Sequence, residues 1–377
     1  GKKDDPKMTV LLEEAVNSYT KNYMAGYKAL GRELDANALR NHFYRFPGVD
    51  NSTDKTLSAM LRMAVIAQTQ EAFEKAPAET DEQRAAKAAQ EGLVKQLFVE
   101  LKRDFKPSDL PPYTLVKLGM HLANTSQPEE SIAYFDEILD PSEPNPVRKQ
   151  ARINGMSKYR KNAVFGKAVA LGRSKDNAKV DTAIKMMRDE LSKEESSSNP
   201  DRKAMEDAQY NLVKFTAARQ DWPAVIAAAE KYRADKSYKK NLPEVLFLQG
   251  QAYLKQNEPD KALVCFMNIT GADYKGLVKW SAPAMLAQMD TLWNRNKMSQ
   301  GTGKQPSDRY VAWRTGSQYV QLLDTPANRK RMTAEDSDLL NQVKDKVSRF
   351  GSDPAVSQER SDIAAYEAAI RSARGQK

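Results

Sequence analysis

Apolar residues recur every three or four positions through most of the 377-residue chain, the period of an α-helix with one buried face. Leu57, Met60, Leu61, Ala64 and Val65 share such a face, as do Leu93, Leu97 and Leu101. Alternating apolar and polar runs bounded by Asn-Gly or Asp-Gly turns, the mark of half-buried hairpins, do not occur. Pro and clusters of Ser, Asn and Gly interrupt the helical pattern because they cannot extend its hydrogen-bonded ladder. The interruptions fall at Phe46-Pro47-Gly48, Ala76-Pro77, Lys106-Pro107-Ser108, Pro141 to Pro146, Ser196 to Pro200, Gly271, and Gly301 to Pro306. Most intervals hold one or two helices. The stretches Ser192 to Arg202 and Lys297 to Pro306 read as long, polar, mobile loops. The pattern predicts an all-α protein.

The middle of the chain is self-similar. Leu246-x2-Gln249-Gly250-x2-Tyr253 is followed by Ala262-x3-Phe266, with 262 − 250 = 12 residues between the small positions. Leu115-x2-Leu118-Gly119-x2-Leu122 is followed at the same offset by Ser131-x3-Phe135, and Gln127-Pro128-Glu129 aligns with Glu258-Pro259-Asp260. A looser copy surrounds Leu212, Phe215, Ala224 and Ala228, with Trp222-Pro223 at its turn. A fourth, Phe165-Gly166-x2-Val169 with Ala183-x3-Met187, needs about five inserted residues. Gly119 and Gly250 on a first helix and Ala262 on a second let antiparallel helices approach closely, while Tyr253, Phe135 and Phe266 fill space toward the neighbouring pair. A large residue at Gly250 or Ala262 would overpack that contact at a cost of about 1–3 kcal/mol.

These residues resemble the tetratricopeptide (TPR) pattern, W-x2-L-G-x2-Y followed by A-x3-F. The resemblance covers about residues 110–270, and Leu101 to Phe105 with Pro107 ahead of a repeat helix is similar in style to TPR proteins of the bacterial envelope. It implies an α-solenoid of antiparallel helix pairs at 110–273, an N-terminal helical region at 1–109 and a C-terminal one at 274–377 that cap it. It also implies a concave groove lined by first helices, where a helix or extended segment of a partner protein lies. The groove positions of the family fall here on Val116, Met120 and Asn124 in one repeat and on Phe247, Gln251 and Lys255 in another. Co-chaperone TPR domains clamp a C-terminal carboxylate with Lys and Asn at such places. Val116, Met120, Phe247 and Gln251 largely replace them, which disfavours that ligand.

Composition adds bounds. The chain is 40% hydrophobic and 29% charged, with a mean hydropathy of −0.70, polar for a folded protein but with apolar residues spread over its length. No run approaches the roughly 20 apolar residues that span a bilayer, and Gly1 to Lys7 lacks the apolar core of a signal peptide. The chain opens on Gly and not Met, so the possibility of a removed leader or anchor stays open. The single cysteine, Cys265, lies between Val264 and Phe266 and reads as a buried thiol; it excludes a disulfide scaffold but not a periplasm. The envelope resemblance favours a periplasmic or envelope location, with the cytoplasm as the alternative.

The 59 Lys and Arg exceed the 50 Asp and Glu by nine. Between Lys275 and Met332, ten basic residues face the acidic Asp290, Asp308 and Asp324, so 10 − 3 = +7 of the excess is local. Trp280, Trp293, Tyr310, Trp313 and Tyr319 are interleaved there, and Arg329, Lys330 and Arg331 form the densest cluster. Such a segment can hold a nucleic-acid backbone and stack bases, or meet another anionic partner. Equally, the aromatics can be core and the charges solvated, as the apolar run Ala282 to Leu286 suggests.

Catalytic patterns do not assemble. His42 and His121 lack partners at metal-ligand spacing. Gly301-Thr302-Gly303-Lys304 lacks the leading strand and first Gly of a phosphate loop. Cys265 sits on a packing face, away from base and solvent. Asn-x-Ser/Thr triplets at Asn51, Asn124 and Asn268 occur at chance frequency. No cofactor or metal is expected. The sequence therefore points to a non-catalytic protein-interaction scaffold, with a nucleic-acid-binding α-repeat using 275–332 as the alternative and an enzyme assembled from Asp, Glu and Lys as a third class.

Overall fold

The computed structural model describes residues 6–29, 55–76, 80–125, 127–271, 278–301, 305–330 and 332–375. The protein is 82% helical, with seventeen α-helices and no strand among the described residues. It divides into two compact units, Gly1–Glu190 and Leu191–Lys377. That boundary falls inside the 110–273 stretch in which the sequence places one run of repeats.

The first unit contains α1 (Pro6–Ala29), α2 (Lys55–Lys75), α3 (Asp81–Asp104), α4 (Pro112–Asn124), α5 (Pro128–Leu139), α6 (Pro146–Gly155) and α7 (Ser157–Gly172); α8 (Asn177–Glu195) begins in it. The second holds α9 (Arg202–Ala218), α10 (Trp222–Ala234), α11 (Leu242–Lys255), α12 (Pro259–Thr270), α13 (Val278–Arg295), α14 (Asp308–Leu323), the single turn α15 (Pro326–Arg329), α16 (Ala334–Gly351) and α17 (Pro354–Gly375). Several prolines that interrupt the periodicity open the next helix: Pro112, Pro128, Pro146 and Pro259 are first residues, where the missing N–H has no intrahelical partner to lose. Asp201 and Asp221 cap α9 and α10 by accepting from the N–H groups of Ala204 and Ala224.

Within the first unit α2 packs on α3, α4 on α5, and α7 on both α4 and α5. Within the second, the hairpins α9–α10 and α11–α12 each pack on the next helix in order, and both helices of the hairpin α13–α14 pack on α16. This is the arrangement of a helical repeat, in which each pair buries its apolar face against its neighbours. Gln220, Asn257 and Asn296 have φ of 57°, 57° and 52°. Each ends the first helix of its hairpin in the left-handed region. After the first two, the N–H groups of Asp221 and Glu258 donate back to the carbonyls of Thr216 and Tyr253 at 3.1 and 2.8 Å.

The glycine and phenylalanine positions explain the repeat spacing. A Cβ at Gly250 would sit 2.6 Å from the Phe266 ring, and one at Gly119 would sit 2.8 Å from the Phe135 ring. Both rings are fully buried. Each thus fills the notch of a glycine within its own pair, and Phe135 also meets Gly166 on α7.

Three sequence expectations are corrected. The loose copy is shifted by one residue on its second helix: Val225 and Ala229 are fully buried while Ala224 and Ala228 are half-buried. Its spacing is then 225 − 213 = 12 from the buried Val213, as from Gly250 to Ala262. The loop expected from Ser192 is shorter, because α8 continues to Glu195. Instead of one face, α2 buries Ser58 to Val65 and Ile66 almost completely save for the half-buried Arg62, since α1, α3 and α4 surround it. The side chain of Leu57 lies outside the described residues.

Candidate functional site

In the second unit the first helices touch one another, α9 against α11 and α11 against α13, whereas the second helices α10 and α12 form no comparable contact. The first helices are therefore a closely spaced row. On α11, Leu246, Gln249, Gly250 and Tyr253 point into the packing. Phe247 is half-buried with its ring tilted against Phe266 at 5.9 Å, and Gln251 and Lys255 are exposed.

The neighbouring helix contributes residues that sequence spacing alone did not single out. Tyr210 and Lys214 on α9 stand 37 residues before Phe247 and Gln251, the same interval as Gln220 to Asn257. Tyr210 Oη donates to Glu244 of α11 at 2.6 Å, Lys214 lies 3.5 Å from the same carboxylate, and the Lys214 ammonium sits 5.2 Å from the centre of the Tyr210 ring. The one-residue shift of the loose copy hides this interval in the sequence. The resulting wall carries two half-buried aromatics, Tyr210 and Phe247, two cations, Lys214 and Lys255, and the exposed amide of Gln251.

The first unit treats its three candidates differently. Val116 is only 7% exposed and belongs to the unit's core with Val94, Leu97 and Phe98, so it offers no groove surface. Met120 is half-buried against the same core, and only Asn124 is exposed. Each trio is brought together on its own helix, one in each unit.

Behind the wall runs a buried polar chain. Gln249 is fully buried; its Oε1 accepts from Arg233 at 2.9 Å and from the Cys265 thiol at 3.7 Å, and its Nε2 donates to Tyr253 at 3.5 Å. Tyr253 in turn donates to Glu230 at 3.2 Å. Burial pushes the Cys265 thiol up to about 11, against a smaller opposing pull from Arg233, so it is protonated and unreactive. These satisfied hydrogen bonds fix the α10–α11–α12 register.

His121 stacks on Phe98 with ring centres 4.0 Å apart, and burial, then Lys95, hold its pKa below the usual value. No group of three or more His, Cys, Asp or Glu that could hold a metal ion occurs among the described residues. His42 and Asn51, Lys275, Thr302 to Lys304 and Arg331 lie outside them.

The basic, aromatic segment is largely engaged within the second unit. Tyr310 and Tyr319 are buried, and Trp280, Trp293 and Trp313 are half-buried. Trp293 stacks on Phe350 at 3.8 Å with Arg309 4.9 Å from its ring centre, and Arg360 lies 4.4 Å from that of Trp313. Arg295 clasps Asp308 through two nitrogens at 2.6 and 2.7 Å and also binds Asp260. The loop after it is tied by Asp308 N–H to Lys297 O at 2.9 Å and Gln300 N–H to Gln305 O at 3.0 Å. Arg329 binds Asp324 at 2.6 and 2.8 Å, with Lys344 2.9 Å from the same carboxylate; these cations hold the Asp324 carboxyl far below its usual range. Lys330 is exposed.

Among the described residues no helix is long and apolar enough to cross a membrane. Neither a family model nor a curated protein matches this chain.

Proposed function

We propose that the protein is a non-catalytic, TPR-like interaction scaffold that binds a helix or extended segment of a partner protein along the first-helix wall of its second unit. The observation that carries the reading is the placement of Tyr210, Lys214, Phe247, Gln251 and Lys255 on adjacent first helices, the first three half-buried and the last two exposed. The resemblance to envelope TPR proteins extends the proposal to an assembly in the bacterial cell envelope.

Affinity capture from fractionated source cells tests it, run with and without nuclease at low and high salt. The reading expects a discrete protein retained after nuclease in high salt by the wild type and lost from a Phe247→Ala, Gln251→Ala, Lys255→Glu variant. Recovery of nucleic acid alone, released by salt and abolished by neutralising Arg329, Lys330 and Arg331, would move the function to the basic segment. Turnover of a small substrate with no macromolecule bound would place the protein among enzymes.

A further inference from the structure

In the first unit a helix already occupies the first-helix face. α1 lies across α2 and α4 and against α6, the extension of the next first helix, α7. Among its described side chains, Val16 and Thr20 are buried, and Tyr23 is half-buried against the same core. These positions, i, i+4 and i+7, are those by which an amphipathic helix lies in a groove. Glu14, two residues ahead of Val16, pairs with Lys158 of α7 at 2.5 Å. Leu11, Leu12 and Tyr19 stay exposed. The core it rests on includes Met60, Met63 and the half-buried Met120, whose unbranched side chains repack readily around different helices.

Resting on the reading that the first-helix wall is the binding face, we infer that α1 is a ligand mimic in cis: it fills the wall of the first unit and yields it to a partner's amphipathic helix. That partner helix carries an aliphatic residue, a small hydroxyl residue and an aromatic at i, i+4 and i+7, with a carboxylate two residues before the first. While α1 is seated, the apparent affinity for such a helix is reduced by the fraction of molecules whose wall is free.

The test uses the full chain and a fluorescently labelled synthetic peptide of residues 6–29, read by anisotropy. A Val16→Asp, Tyr23→Ala chain loosens its own α1 and binds the peptide about tenfold or more tightly than the wild type, as expected when at most about a tenth of wild-type walls are free. The peptide carrying Val16→Asp does not bind. Equal affinity of the two chains, or equal binding of the two peptides, would overturn the inference. A second variant, Lys158→Glu, reverses one exposed ion pair and otherwise gives up only the approach of its ammonium to the Tyr159 ring, 5.6 Å from the ring centre. It prefers the Glu14→Lys peptide to the native one, and absence of that preference would also overturn the inference. Gln251 and Lys255 take no part in this experiment, so its failure leaves the second-unit wall standing. Loss of the capture result would instead remove that wall and leave the peptide data unchanged.

Discussion

Gly166→Ala isolates the helix-to-helix contact on which the repeat depends. A Cβ there would lie 2.2 and 2.3 Å from two atoms of the Phe135 ring, and the ring cannot retreat freely because it also fills the notch over Gly119, where a Cβ would be 2.8 Å away. Overpacking of a full core costs about 1–3 kcal/mol, and this fully buried contact belongs at the upper end. Replacing Gly by Ala inside a helix returns about 1 kcal/mol, leaving a net loss of about 2 kcal/mol. Gly92 is the control, exposed within α3 with nothing within 4 Å of its added Cβ; Gly92→Ala should stabilise by up to about 1 kcal/mol. All four tryptophans, Trp222, Trp280, Trp293 and Trp313, belong to the second unit, so fluorescence is blind to this change. Hydrogen exchange of α5 and α7 peptides reads it, and 2 kcal/mol corresponds to about thirtyfold faster exchange where opening governs the rate. In a Phe135→Leu background the same substitution should turn neutral or stabilising. If Gly166→Ala slows exchange as Gly92→Ala does, the glycine notch is not what sets helix approach.

Other expectations follow from the polar contacts. Arg295→Met strands the mostly buried Asp308 and should destabilise the α13–α14 hairpin by about 2 kcal/mol, read by Trp293 and Trp313 fluorescence in urea; a change below 0.5 kcal/mol would show that solvent replaces the guanidinium. Burial raises the Asp308 carboxyl but Arg295 and the Lys297 N–H outweigh it, so its folded pKa lies below the usual value. Its contribution is therefore complete above about pH 4, the unfolded value, and is lost as pH falls through the folded one, so the wild type should lose more stability toward pH 3 than Arg295→Met. Burial, then Lys95, lower the His121 pKa, and its NMR titration midpoint should fall below 6.5; a midpoint above that would contradict the stacked, half-buried placement on Phe98. With its pKa pushed up to about 11 by burial, native Cys265 should react with a thiol reagent at least about tenfold more slowly than in urea, the smaller thiolate fraction being partly offset by a more nucleophilic thiolate; similar rates would mean the Gln249 chain is open to solvent.

Much of this fold is legible in the sequence because punctuation and packing act locally. Pro128 and Pro259 stand at equivalent turns, and Gly119 with Phe135 and Gly250 with Phe266 mark helix pairs at one spacing. The third pair was harder to read because an alanine-rich second helix, Ala224 to Ala229, hides which small residue faces inward; only packing separates the buried Ala229 from the half-buried Ala228. The hairpin α13–α14 begins with Trp280 and the buried Ala284, 284 − 250 = 34 residues after Gly250, but the twelve residues 296–307 between its helices erase the second-helix offset. The burial of Val116 depends on helices from elsewhere in the chain covering α4, a tertiary fact with no local signal. The same holds for the wall residues: Glu244 becomes part of the site only through Tyr210 and Lys214 of a different helix.

If partners lie on the first-helix wall of the second unit, they lie within reach of Gln251 on α11 and not of Met267, which is 56% exposed on the second helix α12. A photo-crosslinking amino acid placed at each position, in cells of the source organism, should give a discrete protein adduct from position 251 that Lys214→Glu diminishes, and none of that size from position 267. Adducts from position 267 alone would place the binding face on the second helices instead.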